Sequence, residues 1–172
     1  GSEMCIRDRC LYLSPIPVLA FVVYPYLKRY TWFCHWWLGG CLALAPAGAW
    51  VGITGEITSN SWYPDLLLVS LGVLVWIAAF DLGYAQMDID SDKKNGIKSF
   101  PSRFSPPVTF TVILVSIPIW AAAFSILSSL GAILSVIFVV GVLVAGGNDF
   151  QNWWFRSHAA TGWILLISMQ LS

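Results

Sequence analysis

Apolar residues fill the chain in long runs, about 10–27, 33–54, 62–82, 107–127, 129–147 and 157–172, and polar residues collect in the short breaks between them. The runs are too long for strands, and each is at or near the roughly 20 apolar residues that carry a helix across a bilayer. A chain in lipid must satisfy its own backbone hydrogen bonds, which a helix does within one segment. The pattern therefore predicts an all-α, multi-pass transmembrane helix bundle.

Composition narrows this further. The 172 residues are 58% hydrophobic and 10% charged, with mean hydropathy +0.73, which excludes an ordinary soluble domain. Nine Lys and Arg balance nine Asp and Glu, so neither a basic nucleic-acid binder nor an acidic disordered chain fits. The opening GSEMCIRDR is more polar than the run after it and lacks the ordering of a signal peptide. Residues 1–9 read as a non-native leader, which leaves 10–172 as the membrane domain. Ser172 falls inside an apolar run, so the chain reads as part of a longer protein. Cys5, Cys10, Cys34 and Cys41 form no CxxC pair, which predicts free thiols rather than a zinc site.

Charge position predicts orientation. Lys28 and Arg29 follow the first span, Lys93, Lys94, Lys98 and Arg103 the third, and Arg156 precedes the last, while the alternate breaks at 55–61 and near Ser128 have no Lys or Arg. The positive-inside rule then places 28–32, 83–106 and 148–156 on the cytoplasmic side. Trp36, Trp37, Trp62, Trp153 and Trp154 are expected as interfacial anchors, and Gly48 with Gly52 as a small-residue pair for close helix packing.

The candidate chemistry lies in FDLGYAQMDIDSDKKNGIKSFPSRF, residues 80–104, where Asp81, Asp88, Asp90 and Asp92 fall within twelve positions. If the third span continues as helix, then Asp81, Tyr84 or Ala85, Asp88 and Asp92 share one face and Asp90 points elsewhere. Carboxylates at a membrane boundary repel one another and call for a cation. Hard oxygen ligands with few competing His or Cys suit Mg²⁺, which commonly takes one or two carboxylates plus phosphate oxygens of a substrate. A solvated loop, its four Asp balanced by Lys93, Lys94, Lys98 and Arg103, fits the charges as well. Tyr24 and Lys28 share a helical face if Pro25 is tolerated, a pair suited to phosphate, although both are also normal boundary residues. His35 and His158 have no Ser or Cys arrangement of the nucleophilic kind and read as boundary packing.

Taken together, these residues resemble the UbiA superfamily of intramembrane aromatic prenyltransferases. Asp81-Leu-Gly-Tyr84-Ala85-Gln-Met-Asp88-Ile-Asp-Ser-Asp92 matches the family's second aspartate-rich motif, DxxYAxxDxxxD. Tyr24-Pro-Tyr-Leu-Lys28 fits its YxxxK motif. Gly96-Ile-Lys98-Ser99 is similar to the continuation in 4-hydroxybenzoate polyprenyltransferases, as are Tyr26 to Thr31, Leu38-Gly39 and Ala45-Pro46. The resemblance implies a bundle of nine helices, with residues 10–172 its C-terminal two-thirds and about six of those helices. It also implies a first aspartate motif, NDxxDxxxD, on helices absent from this chain, so that the chain alone holds half of a metal site and is inactive.

For the intact parent the resemblance implies Mg²⁺-dependent transfer of a prenyl group from a polyprenyl diphosphate to an aromatic acceptor. Asp88 and Asp92 would hold the metal, and Lys28 with Tyr24 would contact the leaving group. Asp81, Tyr84, Arg29, Lys98 and Arg103 would serve substrate binding, at the cytoplasmic face of a bacterial inner membrane. The acceptor implied is 4-hydroxybenzoate, in ubiquinone or menaquinone biosynthesis, with dihydroxynaphthoate or homogentisate as alternatives. A competing reading of the acidic residues alone is a membrane transporter that binds a cation.

Overall fold

The computed structural model describes residues 2–55, 65–147 and 149–171, with side chains from residue 8 onward. In chain order the elements are α1 (Ser2–Leu13), α2 (Pro15–Tyr30), α3 (Cys34–Thr54), α4 (Asp65–Ala85), α5 (Ile89–Lys94), α6 (Phe100–Arg103), α7 (Pro106–Phe124), α8 (Ser129–Ala145) and α9 (Phe150–Leu171). Among the described residues there is no strand, as the apolar runs predict. Four helical stretches, Asp8–Tyr30, Cys34–Thr54, Asp65–Ala85 and Pro106–Phe124, are long and apolar enough to cross a membrane, and Ser129–Ala145 is apolar but shorter. Glu56 and Trp62, expected in an outer break and as an anchor, lie outside the described residues.

Local chemistry sets the helix limits. Pro15 and Pro106 occupy first-turn positions, where the missing N–H has no intrahelical partner to lose. Pro15 also interrupts the first predicted span, and the Leu11 carbonyl it cannot bond accepts the Ser14 hydroxyl at 2.7 Å. Arg9 donates to the carbonyl of Gly55, the residue that ends α3. Ser128 caps α8 by accepting the Gly131 N–H at 3.2 Å. One boundary differs from expectation. Residues 150–156, read as part of a cytoplasmic connection, are the first two turns of α9, because their buried face packs into the bundle despite its polar neighbours.

Helix α4 is central, packing against α3, α7 and α9, while α8 lies on α7 and α9 and α1 and α2 flank α3. The bundle shows the polarity expected in lipid. Leu114, Val115 and Ile119 on α7, Ile133 and Ile137 on α8, and Leu166 and Ile167 on α9 are exposed, whereas Ser116, Ser135 and Thr161 are buried. Each of those buried hydroxyls donates to a carbonyl one turn back, Val112, Gly131 and Ser157 respectively, at 2.7, 2.8 and 3.0 Å. They are thus satisfied without a partner helix.

With hydrocarbon on both sides of the comparison, close packing rather than removal of apolar surface from water holds such helices together. The close approaches are not at the expected pair. A Cβ on Gly48 would meet nothing within 4 Å, and one on Gly52 only the Cys10 sulfur at 3.9 Å. At Gly39 it would collide with the carbonyl oxygen of Leu74, so this glycine lets α3 and α4 touch backbone to backbone. Trp154 is likewise not a belt residue. It is fully buried, sits over Gly83 and donates its indole N–H to the Phe80 carbonyl at 3.0 Å. Trp37 and Trp153 are exposed, and the Trp37 indole N–H donates to the Ala20 carbonyl at 2.9 Å. Cys34 and Cys41 are buried free thiols.

Candidate active site

The acidic motif begins on α4 and leaves it. The helix ends at Ala85, the Met87 N–H bonds the Tyr84 carbonyl at 3.1 Å and the Asp88 N–H that of Ala85 at 3.3 Å, and a new helix, α5, starts after Asp88. The expected single face from Asp81 to Asp92 is therefore broken at residues 86–88. Asp88 and Asp92 remain one turn apart, since the Asp92 N–H bonds the Asp88 carbonyl at 2.7 Å. Asp90 and Asp92 occupy the first turn of α5 and Lys93 and Lys94 its last, each favourable against the helix dipole.

Gly96 ends α5 with φ +69. The Ile97 N–H reaches the Asp92 carbonyl at 2.8 Å and the Gly96 N–H that of Lys93 at 3.4 Å, the paired bonds of a left-handed helix stop. Gly96→Ala is expected to cost about 1 kcal/mol from its left-handed backbone alone, with Gly96→Asn milder. Thermal unfolding of the two variants in detergent checks this, and equal stability of all three proteins would contradict it.

After this turn the chain is pinned to the junction of α2 and α3. The Lys98 N–H donates to the Lys28 carbonyl at 2.8 Å, and the Phe100 N–H donates to Nε2 of His35 at 3.1 Å. Ser102 closes the segment on itself by donating to Ser99 and Ile97 carbonyls at 2.7 and 3.2 Å. Trp32, Trp36, Phe100 and Phe104 form one aromatic group, with centroids 4.3 to 5.6 Å apart for the pairs Phe100–Phe104, Trp36–Phe100 and Trp32–Phe104. Trp36 serves in this group rather than standing alone as an anchor.

Four side chains then converge. Helix α2 runs through Pro25 without breaking, and Lys28 Nζ lies 4.9 Å from the centre of the Tyr24 ring. The Tyr24 hydroxyl donates to Asp81 Oδ2 at 3.4 Å, and His35 Nδ1 lies 2.7 Å from the same oxygen. Tyr84, half-buried on α4, packs on Phe80 at 5.0 Å between centroids. Arg29, Lys98, Arg103 and Asp88 present exposed side chains, and Asp92 is half-buried. Among the described residues the one contact of ion-pair range between a basic and an acidic side chain is His35–Asp81, a hydrogen bond. The side-chain balance of four Asp against four cations does not form as ion pairs.

Two histidine expectations need correction. His35 is 1% exposed and bridges Asp81 to the Phe100 amide. A polar ring opening an apolar helix signals a need for buried partners, but its neighbours in sequence do not say which partners. His158 lies in the core of α9, its Nδ1 3.0 Å from the Trp154 carbonyl and its ring stacked on Trp76.

No group of three His, Cys, Asp or Glu side chains converges among the described residues. Asp88 and Asp92 offer two hard oxygen donors one turn apart at an accessible place, which suits a cation that keeps waters and takes its remaining ligands from phosphate. They fit as part of a metal site.

Fold and site together define an integral membrane helix bundle in which a Tyr–Lys helix end and an aspartate-rich segment are tied to one another. The chain belongs to the UbiA prenyltransferase family, whose sequence profile matches residues 4–168. It is 33% identical over 129 residues to polyprenyl transferase yanG of Aspergillus niger, covering 74% of this chain and 37% of that protein. It is 27% identical over 152 residues to the 4-hydroxybenzoate octaprenyltransferase of Pseudomonas fluorescens, covering 88% and 49%. With the enzyme of the same name from Aliivibrio fischeri it shares 31% over 142 residues, 82% and 47% of the two chains. The chain thus spans half or less of the length of these relatives. The apo structure of a UbiA homolog from Aeropyrum pernix K1 superposes with a TM-score of 0.72 at 23% identity, over 92% of this chain and 64% of that one. That likeness establishes the helical membrane fold.

Proposed function

We propose that the intact protein transfers a prenyl group from a polyprenyl diphosphate to an aromatic acceptor, with 4-hydroxybenzoate the acceptor its relatives favour. The observation that carries this reading is the bond from the Lys98 N–H to the Lys28 carbonyl. It holds the cationic helix end beside the segment bearing Asp88 and Asp92, so one anionic ligand can meet both through a divalent cation.

The chain's own residues then have distinct work. Lys28 donates from Nζ to the diphosphate, and the Tyr24 ring beneath it limits where that ammonium can go. Arg29, Lys98 and Arg103 raise the local concentration of anionic substrates. Asp88 and Asp92 would hold Mg²⁺, which supplies positive charge to the diphosphate oxygens when bound. Heterolysis of the allylic C–O bond moves an electron pair onto the diphosphate, so Lys28 stabilises the transition state more than the ground state. The acceptor ring carbon bonds the allylic carbon as the diphosphate leaves, and the proton on that ring carbon passes to water, restoring aromaticity. Asp81, held by Tyr24 and His35, receives a hydrogen bond from the acceptor hydroxyl, and Tyr84 lines the same helix. The distribution of Lys and Arg supports a site that faces the cytoplasm, and the bacterial relatives support a bacterial inner membrane as its location.

The test is an assay of full-length protein in membranes with geranyl diphosphate and 4-hydroxybenzoate, product being read by mass. A prenylated product that disappears with chelator and returns with Mg²⁺ is expected. Product only with dihydroxynaphthoate or homogentisate would change the acceptor. No product with any phenol from folded protein, together with gradient-dependent cation uptake, would replace the enzyme by a transporter.

A further inference from the structure

His35 reaches two functional segments that are separated in the chain. Its Nε2 faces the Phe100 N–H at 3.1 Å. A backbone N–H can only donate, so Nε2 carries the lone pair and the ring proton sits on Nδ1. Nδ1 therefore donates to Asp81 Oδ2 at 2.7 Å. Tyr24 donates to the same oxygen at 3.4 Å, and among the described residues no hydrogen bond reaches Oδ1. Asp81 is 17% exposed and His35 only 1%, so the ring is the buried side of the pair and the carboxylate its open side. Residues 82–99, the whole excursion that carries Asp88 and Asp92, leave from Asp81 and return to Phe100. The His35 imidazole spans those two ends.

We propose that His35 is a positioning residue. In its Nδ1–H form it turns the Asp81 carboxylate so that Oδ2 is held and Oδ1 is presented to the hydroxyl of the aromatic acceptor, and it couples that orientation to the seat of the segment closing the acidic loop. The proposal rests on the prenyl-transfer reading for the identity of the ligand at Oδ1, but not for the tautomer or the bridge. A planar ring bonded through both nitrogens has little freedom to rotate, which is the rigidity a carboxylate needs to select a phenolic acceptor by one hydrogen bond.

Two measurements test this, one of them independent of activity. ¹⁵N-histidine solid-state NMR of the full-length protein in bilayers reads the tautomer of its imidazoles, and His35→Gln identifies the His35 signals by their loss. An Nδ1–H tautomer whose Nδ1 resonance moves in Asp81→Asn is expected. An Nε2–H tautomer, or no response to Asp81→Asn, overturns the bridge whatever the enzyme does. The second measurement is kinetic. His35→Leu should raise KM for the aromatic acceptor by about 10-fold or more, the scale of a lost hydrogen bond to a charged group, and leave KM for the prenyl diphosphate near its starting value. His35→Gln, which keeps one donor and one acceptor, should recover most of that loss. Equal effects of Leu and Gln, or equal changes in both KM values, would reduce His35 to a packing residue. Absence of any prenylated product from the unsubstituted protein would count against the prenyl-transfer reading, leaving the NMR result to decide the bridge.

Discussion

Asp92→Asn in the full-length protein is expected to lower prenyl transfer by about 10²-fold or more, the scale seen when a preorganised charge-stabilising group is removed from an active site. The substitution keeps shape and removes charge. The bonds that place residue 92 are main-chain ones, from its own N–H to the Asp88 carbonyl at 2.7 Å and from the Ile97 N–H to its carbonyl at 2.8 Å, and Asn preserves both. Thermal unfolding should therefore change little while activity collapses. Asp88→Asn should behave alike, because one carboxylate of the pair cannot replace the other in holding a doubly charged ion. Asp90→Asn serves as the comparison. It removes the same charge from the same short helix, so it shares any effect on helix dipole or loop electrostatics but not the expected metal role. Rates measured across a Mg²⁺ titration separate these cases. If all three variants lose activity equally, or if Asp88→Asn and Asp92→Asn retain it, the metal assignment fails.

The second large effect concerns the bundle itself. Gly39→Ala is expected to destabilise it by about 2–3 kcal/mol, the upper part of the usual range for overpacking. The added methyl would meet the Leu74 carbonyl oxygen, and a backbone atom inside a packed helix cannot turn aside as a side-chain tip can. Relief requires separating α3 from α4, and with them the ring of His35 from the carboxylate of Asp81, so the variant should lose activity as well as stability. Gly48→Ala, nine residues further along the same helix, meets nothing within 4 Å. It should be neutral or stabilising by up to about 1 kcal/mol, the helix-propensity difference between the two residues. Thermal unfolding in one detergent compares them directly. Similar losses for both would mean that helix propensity, not contact, controls this region.

The membrane-spanning helices were legible because apolar run length and the bilayer's thickness are one-dimensional quantities. The limits of α3 and α4 follow the runs closely. Membership of the family was legible too, since the fixed positions of its aspartate motif, with Tyr24 and Lys28, are read by spacing along the chain. Gly48 and Gly52 looked like the packing pair because they stand four apart. Gly39 proved to be the close contact because what decides it is a carbonyl on another helix. Trp154 looked like an anchor beside Trp153 and Arg156, yet its indole is buried against Gly83 and Phe80.

By itself, then, the sequence determined that this protein is a lipid-embedded helix bundle carrying an acidic motif and a Tyr–Lys pair of the UbiA kind. Only the tertiary structure decided that the motif helix stops at Ala85, that a turn at residues 86–88 separates Asp88 and Asp92 from its face, and that His35 joins Asp81 to Phe100. The physical reason is the range of the interactions involved. Insertion into lipid and helix formation depend on residues within about 20 positions of one another. A hydrogen bond from an imidazole to a carboxylate 46 residues away exists only once the helices have packed.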